Sequence, residues 1–240
     1  MLEIKSMSKK FDNEKGIFNF SLELKEGEII GLVGDNGSGK STMLKSLFGE
    51  YKKDEGEILL NGESLLKNLT SISFFPDQSV YPKDITILNF AIYDGILCGI
   101  EKKEVEQRLD ILLEKFNLLD YKTKKFNSLS AGMQKKALLA ITLISRPKFI
   151  FLDEPTANLD VKSRTDFHKI LKSLAKNNKV GILITSHIID ELEGFINKLV
   201  IIEKGIKKYD SQFDSKKENI LPIYKKFTEN KEIKNFEDLY

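Results

Sequence analysis

The sequence has little of two features that would assign a class of protein at once, cysteine and long apolar runs. It has one cysteine, Cys98, so an internal disulfide bond is excluded and a reducing compartment such as the cytosol is favoured. The best apolar runs, ALLAITLIS and VGILITSHII, are about half the roughly 20 residues that a membrane-spanning helix needs. The start, MLEIKSMSKKFDNEKG, is too polar for a secretory signal peptide. We therefore expect a soluble chain, which leaves docking onto a membrane protein open.

The chain also lacks a surplus of charge. It has 38 basic and 36 acidic residues, a formal net charge of +2, and this near-balance favours a mixed solvated surface over nucleic-acid binding. We find no internal repeat and no low-complexity linker. With 240 residues, 41% of them hydrophobic, the chain is long enough for one or two domains with a sizeable core.

Strand and helix patterns alternate along most of the chain. Short strands are predicted over residues 1–30, a buried strand over 28–34 and a helix over 40–49. From about 84 to 126 the apolar spacing is helical. The elements that we predict after this region are a helix over 131–145, a strand over 148–153, a helix over 160–177, a strand over 180–185, a helix over 188–197 and a strand over 199–203. Strands such as FIFL and GILIT show no alternation of polar and apolar residues, which is typical of a parallel sheet covered on both faces. The predicted fold class is therefore α/β with an inserted helical subdomain.

The stretch GLVGDNGSGKST, residues 31–42, matches the pattern G-x-x-x-x-G-K-[ST] between a predicted strand and a predicted helix. Glycines allow positive φ and close approach, so that backbone N–H groups form a nest for anionic oxygens. The helix N-terminus adds unpaired N–H groups, Lys40 adds a cation for the outer phosphates, and the Ser41 hydroxyl suits Mg²⁺. The alternative, a glycine-rich turn that precedes a lysine by chance, arises in roughly one such chain in a hundred. The stretch therefore predicts nucleotide binding.

Three later stretches extend this prediction. FIFLDEP, residues 149–155, is an apolar strand that ends in two carboxylates, which suits Asp153 for the Mg²⁺ shell and Glu154 for handling water; a buried strand stopped by a polar turn is the alternative. LSAGMQKK, residues 129–136, begins a helix with Ser130 well placed as its N-cap. His187 directly follows a buried strand, a position at which a lone histidine is usually structural.

The order of these motifs, followed by ANLD and TSH, resembles the ATP-binding cassette (ABC) ATPases over about residues 1–210. The resemblance implies a P-loop NTPase with a mostly parallel core sheet, an N-terminal antiparallel β subdomain and a helical subdomain inserted at about 84–130. It places an ABC ATPase domain at 1–212 and a C-terminal tail at 213–240. The tail is either a helical cap or frayed end, or a dimer contact or regulatory element.

The same resemblance assigns site residues for ATP and Mg²⁺. Glu154, His187 and Lys40 would be catalytic, Ser41 and Asp153 would bind Mg²⁺, and Asp160 would be the D-loop aspartate. Phe11 would stack on adenine, against the alternative of a surface phenylalanine in a turn. The implied ATP-binding residues are Phe11, Gly34, Asp35, Asn36, Gly37, Ser38, Gly39, Lys40, Ser41 and Thr42.

A signature motif would act on the ATP held by a partner subunit, so that ATP lies between two head-to-tail cassettes. The family usually has LSGGQ there. Here Ala131 and Met133 replace a glycine and the glutamine, and Ala131 keeps its backbone N–H for the phosphate. The implied in-trans residues are Ser130, Ala131, Gly132 and Gln134.

The Q-loop departs from the family as well. Asp77 follows Pro76 where glutamine or glutamate is usual, and Gln78 comes one place later. Either side chain could approach the metal or the water, and the sequence leaves this choice open.

We expect the ATPase subunit of a transporter, peripheral on the cytoplasmic face of the membrane, with its permease on a separate chain and a second ABC subunit, identical or different. The segment from 75 to 100 resembles the branch that energises drug, antibiotic, bacteriocin and peptide exporters, with an importer as the alternative. Its aromatic and aliphatic residues would dock on the permease or form the core of the subdomain: Tyr81, Ile85, Ile87, Phe90, Ile92 and Tyr93. A soluble cluster-assembly ATPase is a further alternative, whereas Glu154 disfavours a regulatory module without turnover.

Overall fold

The computed structural model describes residues 1–11, 15–76 and 84–228. The strands are β1 (Leu2–Lys10), β2 (Gly16–Leu24), β3 (Ile29–Val33), β4 (Glu55–Leu60), β5 (Glu63–Ser64), β6 (Ile72–Phe75), β7 (Phe149–Leu152), β8 (Gly181–Ser186), β9 (Lys198–Glu203) and β10 (Ile206–Gln212). The α-helices are α1 (Lys40–Leu47), α2 (Ile87–Leu97), α3 (Lys102–Lys115), α4 (Ala131–Leu143), α5 (Val161–Asn178) and α6 (Ile220–Phe227).

The strands form two sheets, as predicted. An antiparallel sheet near the N-terminus has the order β2-β1-β4-β5. The core sheet has the order β10-β9-β3-β8-β7-β6 and is parallel except for β10, which pairs antiparallel with β9. Every residue of β3, β7 and β8 is buried, which explains why these strands are apolar on both faces.

The order of the core sheet places three polar segments side by side. β8 lies between β3 and β7, and both pairings are parallel. The carboxyl ends of the three strands therefore meet at one edge of the sheet, where ligands bind in open α/β sheets. The loop after β3, the carboxylates after β7 and the histidine after β8 all follow these ends.

The predicted helical region contains α2 and α3, which pack together and against α4. On α3, Val105, Leu109 and Leu113 are fully buried at the helical spacing that the sequence indicated. Gly95 of α2 lies so close to Val105 that a Cβ there would come within 2.3 Å of its side chain. No α-helix of the described ranges is both long and apolar enough to cross a lipid bilayer.

Two sequence predictions near the end of the core sheet were wrong or incomplete. The helix predicted over 188–197 is only a 3₁₀ turn, Ile189–Glu191, because Gly194 with φ of +67° turns the chain away from a helical path. Apolar residues of this segment are buried without a helix, and this burial produced the misleading pattern. β10 was not predicted, because as an edge strand it is mostly exposed and has no apolar run.

The C-terminal helix α6 packs on the core sheet. Ile220 is fully buried, and its N–H donates to Oε1 of Glu193 at 2.7 Å. The rings of Phe227 and Tyr209 lie 5.0 Å apart. The described part of the tail therefore contains a helix that packs against the core, whereas residues 229–240 lie outside the described ranges.

Candidate active site

The loop between β3 and α1 has the backbone that an anion nest requires. Gly37 has φ of +80° and Gly39 has φ of +111°, which L-amino acids with a Cβ rarely adopt. Gly39 is the N-cap of α1 and offers no side-chain acceptor to the first-turn N–H groups. These N–H groups and the helix dipole are therefore available for a phosphate.

Close packing requires two glycines of this loop. A Cβ on Gly34 would lie 2.3 Å from the carbonyl oxygen of Ile202, and one on Gly39 would lie 2.8 Å from Cδ1 of Ile17. Ser38 is buried, and its Oγ has no hydrogen-bond partner among the described residues. An orphaned buried hydroxyl beside the nest is consistent with a loop built around a ligand.

Lys40 lies at the centre of the site and is only 6% exposed. Its Nζ donates to the carbonyl oxygens of Gly34 and Asp35 at 2.7 and 3.2 Å and lies 3.8 Å from Oε1 of Glu154. Burial lowers the pKa of Lys40 below its ordinary value, although the carboxylates of Glu154, Asp153 and Asp35 partly oppose this. An anion bound at the loop would stabilise the ammonium further.

Asp153 and Glu154 follow β7 and are held by Thr185 at the end of β8. The Thr185 hydroxyl donates to Oδ1 of Asp153 at 2.7 Å and accepts from the N–H of Glu154 at 3.0 Å. No role was predicted for Thr185 from the sequence, although it lies in the TSH stretch. Its position at the end of a strand that pairs with the carboxylate-bearing strand was the signal that could have identified it.

The carboxylate of Glu154 lies between the cation and the histidine. Its Oε2 is 2.7 Å from Nδ1 of His187, and its Oε1 faces Lys40. Glu154 has φ of +47°, an uncommon backbone conformation for a residue with a side chain. Such local strain is typical of positions that the surrounding structure holds for a purpose.

These groups surround a cavity of about 850 Å³, which is within the usual range for ligand pockets. Phe11 lies at its edge, 37% exposed, with its ring edge-on to Tyr51 at 5.4 Å. The residues that line the cavity are Phe11, Lys15, Gly16, Asn36, Gly37, Gly39, Lys40, Ser41, Thr42, Glu154, Ala157, Asn158 and His187. The cavity therefore combines an anion nest, a cation, the Ser41 hydroxyl and a carboxylate. This set of groups fits a nucleoside triphosphate with Mg²⁺.

Three predicted ATP-binding residues are near the cavity without lining it. Gly34 and Ser38 are buried in the loop, and Asp35 accepts a hydrogen bond at Oδ1 from the Tyr224 hydroxyl at 2.5 Å. Asp153 is buried behind Glu154. Sequence analysis did not anticipate the contact from α6 to the loop, because 189 residues separate its partners.

The predicted signature residues lie at the start of α4, away from the cavity. Ser130 is the N-cap, as predicted, and accepts from the N–H of Met133 at 3.3 Å. Gln134 turns inward, and its Nε2 donates to the carbonyl oxygens of Phe126 and Leu129 at 2.8 and 3.0 Å. Ala131 is partly exposed and packs against the core.

Gly132 and Asp160 both lie next to Ser163 of α5. A Cβ on Gly132 would lie 2.8 Å from Oγ of Ser163. Asp160 is the N-cap of α5 and accepts from the N–H and the hydroxyl of Ser163 at 2.9 and 2.6 Å. These bonds lower the pKa of Asp160 below its ordinary value. The two Q-loop candidates, Asp77 and Gln78, lie outside the described residues.

Comparison with known proteins identifies the family. Residues 17–157 match the family described as "ABC transporter". The chain belongs to the ABC transporter family. ABC transporter ATP-binding subunits bind ATP with Mg²⁺ and hydrolyse it, so this chain is an ATPase. The resemblance and the P-loop NTPase fold predicted from the sequence are confirmed.

Several ABC proteins are similar over most of this chain. A "Putative ABC transporter ATP-binding protein" of Mycoplasma pneumoniae is 32% identical over 92% of this chain and 68% of its own length. The "Zinc uptake system ATP-binding protein ZurA" of Listeria monocytogenes is 30% identical over 86% of this chain and 84% of its own. Among solved structures, "Dimeric Structure of MJ0796, a Bacterial ABC Transporter Cassette" is 25% identical with a TM-score of 0.78 and covers 89% of this chain and 99% of that one.

Proposed function

We propose that this ABC ATPase energises export of a drug, antibiotic or peptide through a permease on a separate chain, at the cytoplasmic face of the cell membrane. The observation that supports turnover at this site most strongly is the carboxylate of Glu154, which faces both Lys40 and His187 at the rim of the phosphate loop. The direction and the cargo rest on the likeness of the segment after β6 to the exporter branch.

The phosphate loop binds the triphosphate in this proposal. The N–H groups near Gly37 and Gly39 donate hydrogen bonds to the phosphate oxygens, and Lys40 adds a charge-assisted contact to the outermost phosphate. Ser41 and Asp153 would hold Mg²⁺, which would supply charge neutralisation. Phe11, at the edge of the cavity, stacks on the adenine.

Glu154 handles the attacking water. Its carboxylate accepts a proton from the water, and His187 fixes the orientation of the carboxylate through the 2.7 Å contact with Oε2. A carboxylate is a weak base for a water molecule, so positioning contributes much of the rate. Lys40 balances the charge on the other carboxylate oxygen.

Two cassettes close over the nucleotide in this proposal. Ser130, Ala131 and Gly132 start α4 away from their own cavity, as residues that act on a partner's ATP must. The inward side chain of Gln134 supports the loop before α4 from within the same subunit. Asp160 lies near these residues, because Ser163 packs next to Gly132 and its hydroxyl donates a hydrogen bond to Asp160. The dimeric solved relative supports a pair of cassettes, of identical or of different subunits, and the head-to-tail arrangement is the one that the family resemblance implies.

The permease docks on α2 and the segment before it. Of the residues named from the sequence, Ile87 is core, and Ile85, Phe90 and Ile92 are partly buried against it. Tyr93 is 60% exposed, and Ile96 and Leu97 beside it are 52% and 87% exposed. An exposed apolar cluster at the end of a helix supports a partner surface. Tyr81 lies outside the described residues.

We also propose the domain organisation given by the resemblance. An ABC ATPase domain spans 1–212 with the helical subdomain at about 84–130, and a tail spans 213–240. Limited proteolysis followed by mass spectrometry tests these limits. Protected fragments that end near 212 support them, whereas cleavage that first releases a fragment ending within the core sheet contradicts them.

Import is a second candidate because the Listeria relative is named for zinc uptake. The test is co-purification of the membrane partner, followed by ATP-driven flux in sealed vesicles with this subunit outside. Accumulation of the cargo inside the vesicles indicates export, and its ATP-dependent loss from loaded vesicles indicates import. Recovery of a soluble scaffold in place of a permease contradicts a transport role and favours the cluster-assembly alternative.

The catalytic assignment is tested with Glu154→Gln. We expect this variant to keep ATP binding but to slow turnover by at least about 10²-fold, because the general base is lost while the shape is retained. Glu114→Gln, on the exposed face of α3, is the matched control. Near-normal hydrolysis by Glu154→Gln would remove Glu154 from its proposed role.

A further inference from the structure

Lys135 is a buried lysine that the proposed mechanism has not used. It lies on α4 and is only 1% exposed, although lysine is rarely buried completely. Its Nζ donates to the main-chain carbonyl oxygen of Glu154 at 3.3 Å, one of the contacts that the ammonium group makes. A buried ammonium group without such partners would be costly, so this contact is part of what keeps the lysine in place.

The contact falls on a residue whose backbone is held from two sides. The N–H of Glu154 donates to the Thr185 hydroxyl of β8 at 3.0 Å. Its carbonyl accepts from Lys135 of α4 and, within the following turn, from the N–H of Ala157 at 3.2 Å. Its φ of +47° is a strained backbone conformation, which persists only where the surrounding structure holds it. Because the side chain projects from this constrained backbone, these contacts set the direction of the carboxylate.

Lys135 also links the carboxylate to the start of α4. It lies four residues, about one helical turn, after Ala131, within the same rigid helix. The first turn of α4 carries the residues that, under the proposed function, bind the nucleotide of the partner cassette. A small shift of α4 during that engagement therefore moves the donor that holds Glu154.

Resting on the proposed function, we propose that Lys135 is a positioning residue for hydrolysis: it fixes the backbone of Glu154 and couples that backbone to the engagement of α4 by the partner's ATP. Lys135 does not touch the nucleotide, and its effect passes through Glu154. Removing its ammonium group lowers the rate of hydrolysis much more than the affinity for ATP. A displacement of about 1 Å at a reacting group is enough to cost about 10²-fold in rate.

The test uses Lys135→Met, which keeps an unbranched side chain that is one atom shorter and removes its charge and donors. Lys136→Met, the next residue on the same helix and only partly buried, is the matched control. We expect Lys135→Met to lower kcat by about 10–100-fold and to change ATP affinity by less than about threefold. Lys135→Gln, which keeps a donor on a shorter chain, should recover part of the rate. If Lys135→Met does not fold, Lys135→Gln carries the same comparison.

A double-mutant cycle with Glu154→Gln separates positioning from general damage. Single-turnover rates are measured with radiolabelled ATP for the full-length single and double variants. If Lys135 acts through Glu154, Lys135→Met should have almost no further effect once the carboxylate is gone. An equal rate loss in both backgrounds would overturn the inference, as would a loss of ATP affinity that matches the loss of rate.

The same data distinguish failure of the inference from failure of the proposed function. If Glu154→Gln hydrolyses ATP as fast as the unmodified protein, the proposed role of Glu154 is wrong whatever Lys135 does. If Glu154→Gln is slow and the Lys135 effect is additive, only the inference on Lys135 is wrong.

Discussion

Replacing Thr185 with valine tests how the two carboxylates are held. Valine has the shape of threonine but lacks the hydroxyl, so the sheet and its packing are retained. The variant loses the bond to Asp153 at 2.7 Å and the bond from the N–H of Glu154 at 3.0 Å. Thr185 is fully buried, so water does not readily replace either bond.

The expected cost follows from these two bonds. A hydrogen bond to a charged acceptor contributes about 1.5–3 kcal/mol, and a buried donor left without a partner costs about 1–3 kcal/mol. The buried methyl group that replaces the hydroxyl stabilises the fold by about 0.8 kcal/mol. We therefore expect Thr185→Val to lower the free energy of unfolding by about 2–5 kcal/mol.

Urea unfolding, monitored by circular dichroism with linear extrapolation to water, measures this change. A lower midpoint with an unchanged slope indicates lost stability in the native state. Thr185→Ser keeps the hydroxyl and should cost only about 1 kcal/mol, for the lost methyl group. Equal destabilisation by the valine and serine variants would refute the reasoning, because the hydroxyl would then contribute nothing.

Two further predictions concern residues outside the cavity. Burial and the cations Arg164 and Lys172 lower the pKa of His168 to about 4, so His168 is neutral in the folded protein at pH 7. The unfolded chain binds this proton at a pKa of about 6.5, so the free energy of unfolding should fall as pH decreases from about 6.5 towards 4. His168→Phe should lack this component, as urea unfolding at pH 7 and pH 5 would show; a difference from the unmodified protein that does not change with pH would contradict it. Tyr224→Phe should lower the free energy of unfolding by about 1 kcal/mol and weaken ATP binding, because it releases Asp35 beside the phosphate loop; unchanged stability and ATP affinity would contradict a role for this contact.

Sequence reasoning was strongest where one local pattern determines one local structure. The phosphate loop was predictable because the spacing of Gly34, Gly39 and Lys40 lies within a single strand–loop–helix unit. The N-cap at Ser130 was predictable for the same reason. The parallel strands were recognisable because burial on both faces leaves no alternation in polarity.

Contacts between distant segments could not be predicted in the same way. Lys135 is a lysine in a helix that the pattern would place at the surface, and its burial depends on how α4 packs against the end of β7. The bond from Tyr224 to Asp35 depends on where α6 docks. The apolar residues after His187 indicated a helix, although Gly194 and packing against the sheet leave only a 3₁₀ turn.

The central claim, that the loop before α1 binds Mg-ATP, is tested most directly by titrating the full-length protein with Mg-ATP in a calorimeter. The unmodified protein should bind saturably, and Lys40→Ala should weaken binding by about 10–100-fold, the equivalent of one charge-assisted hydrogen bond. Lys45→Ala, on the same helix but paired with Glu50 outside the cavity, should bind as the unmodified protein does. Equal affinities for the unmodified protein and Lys40→Ala, or no binding by the unmodified protein, would contradict the account.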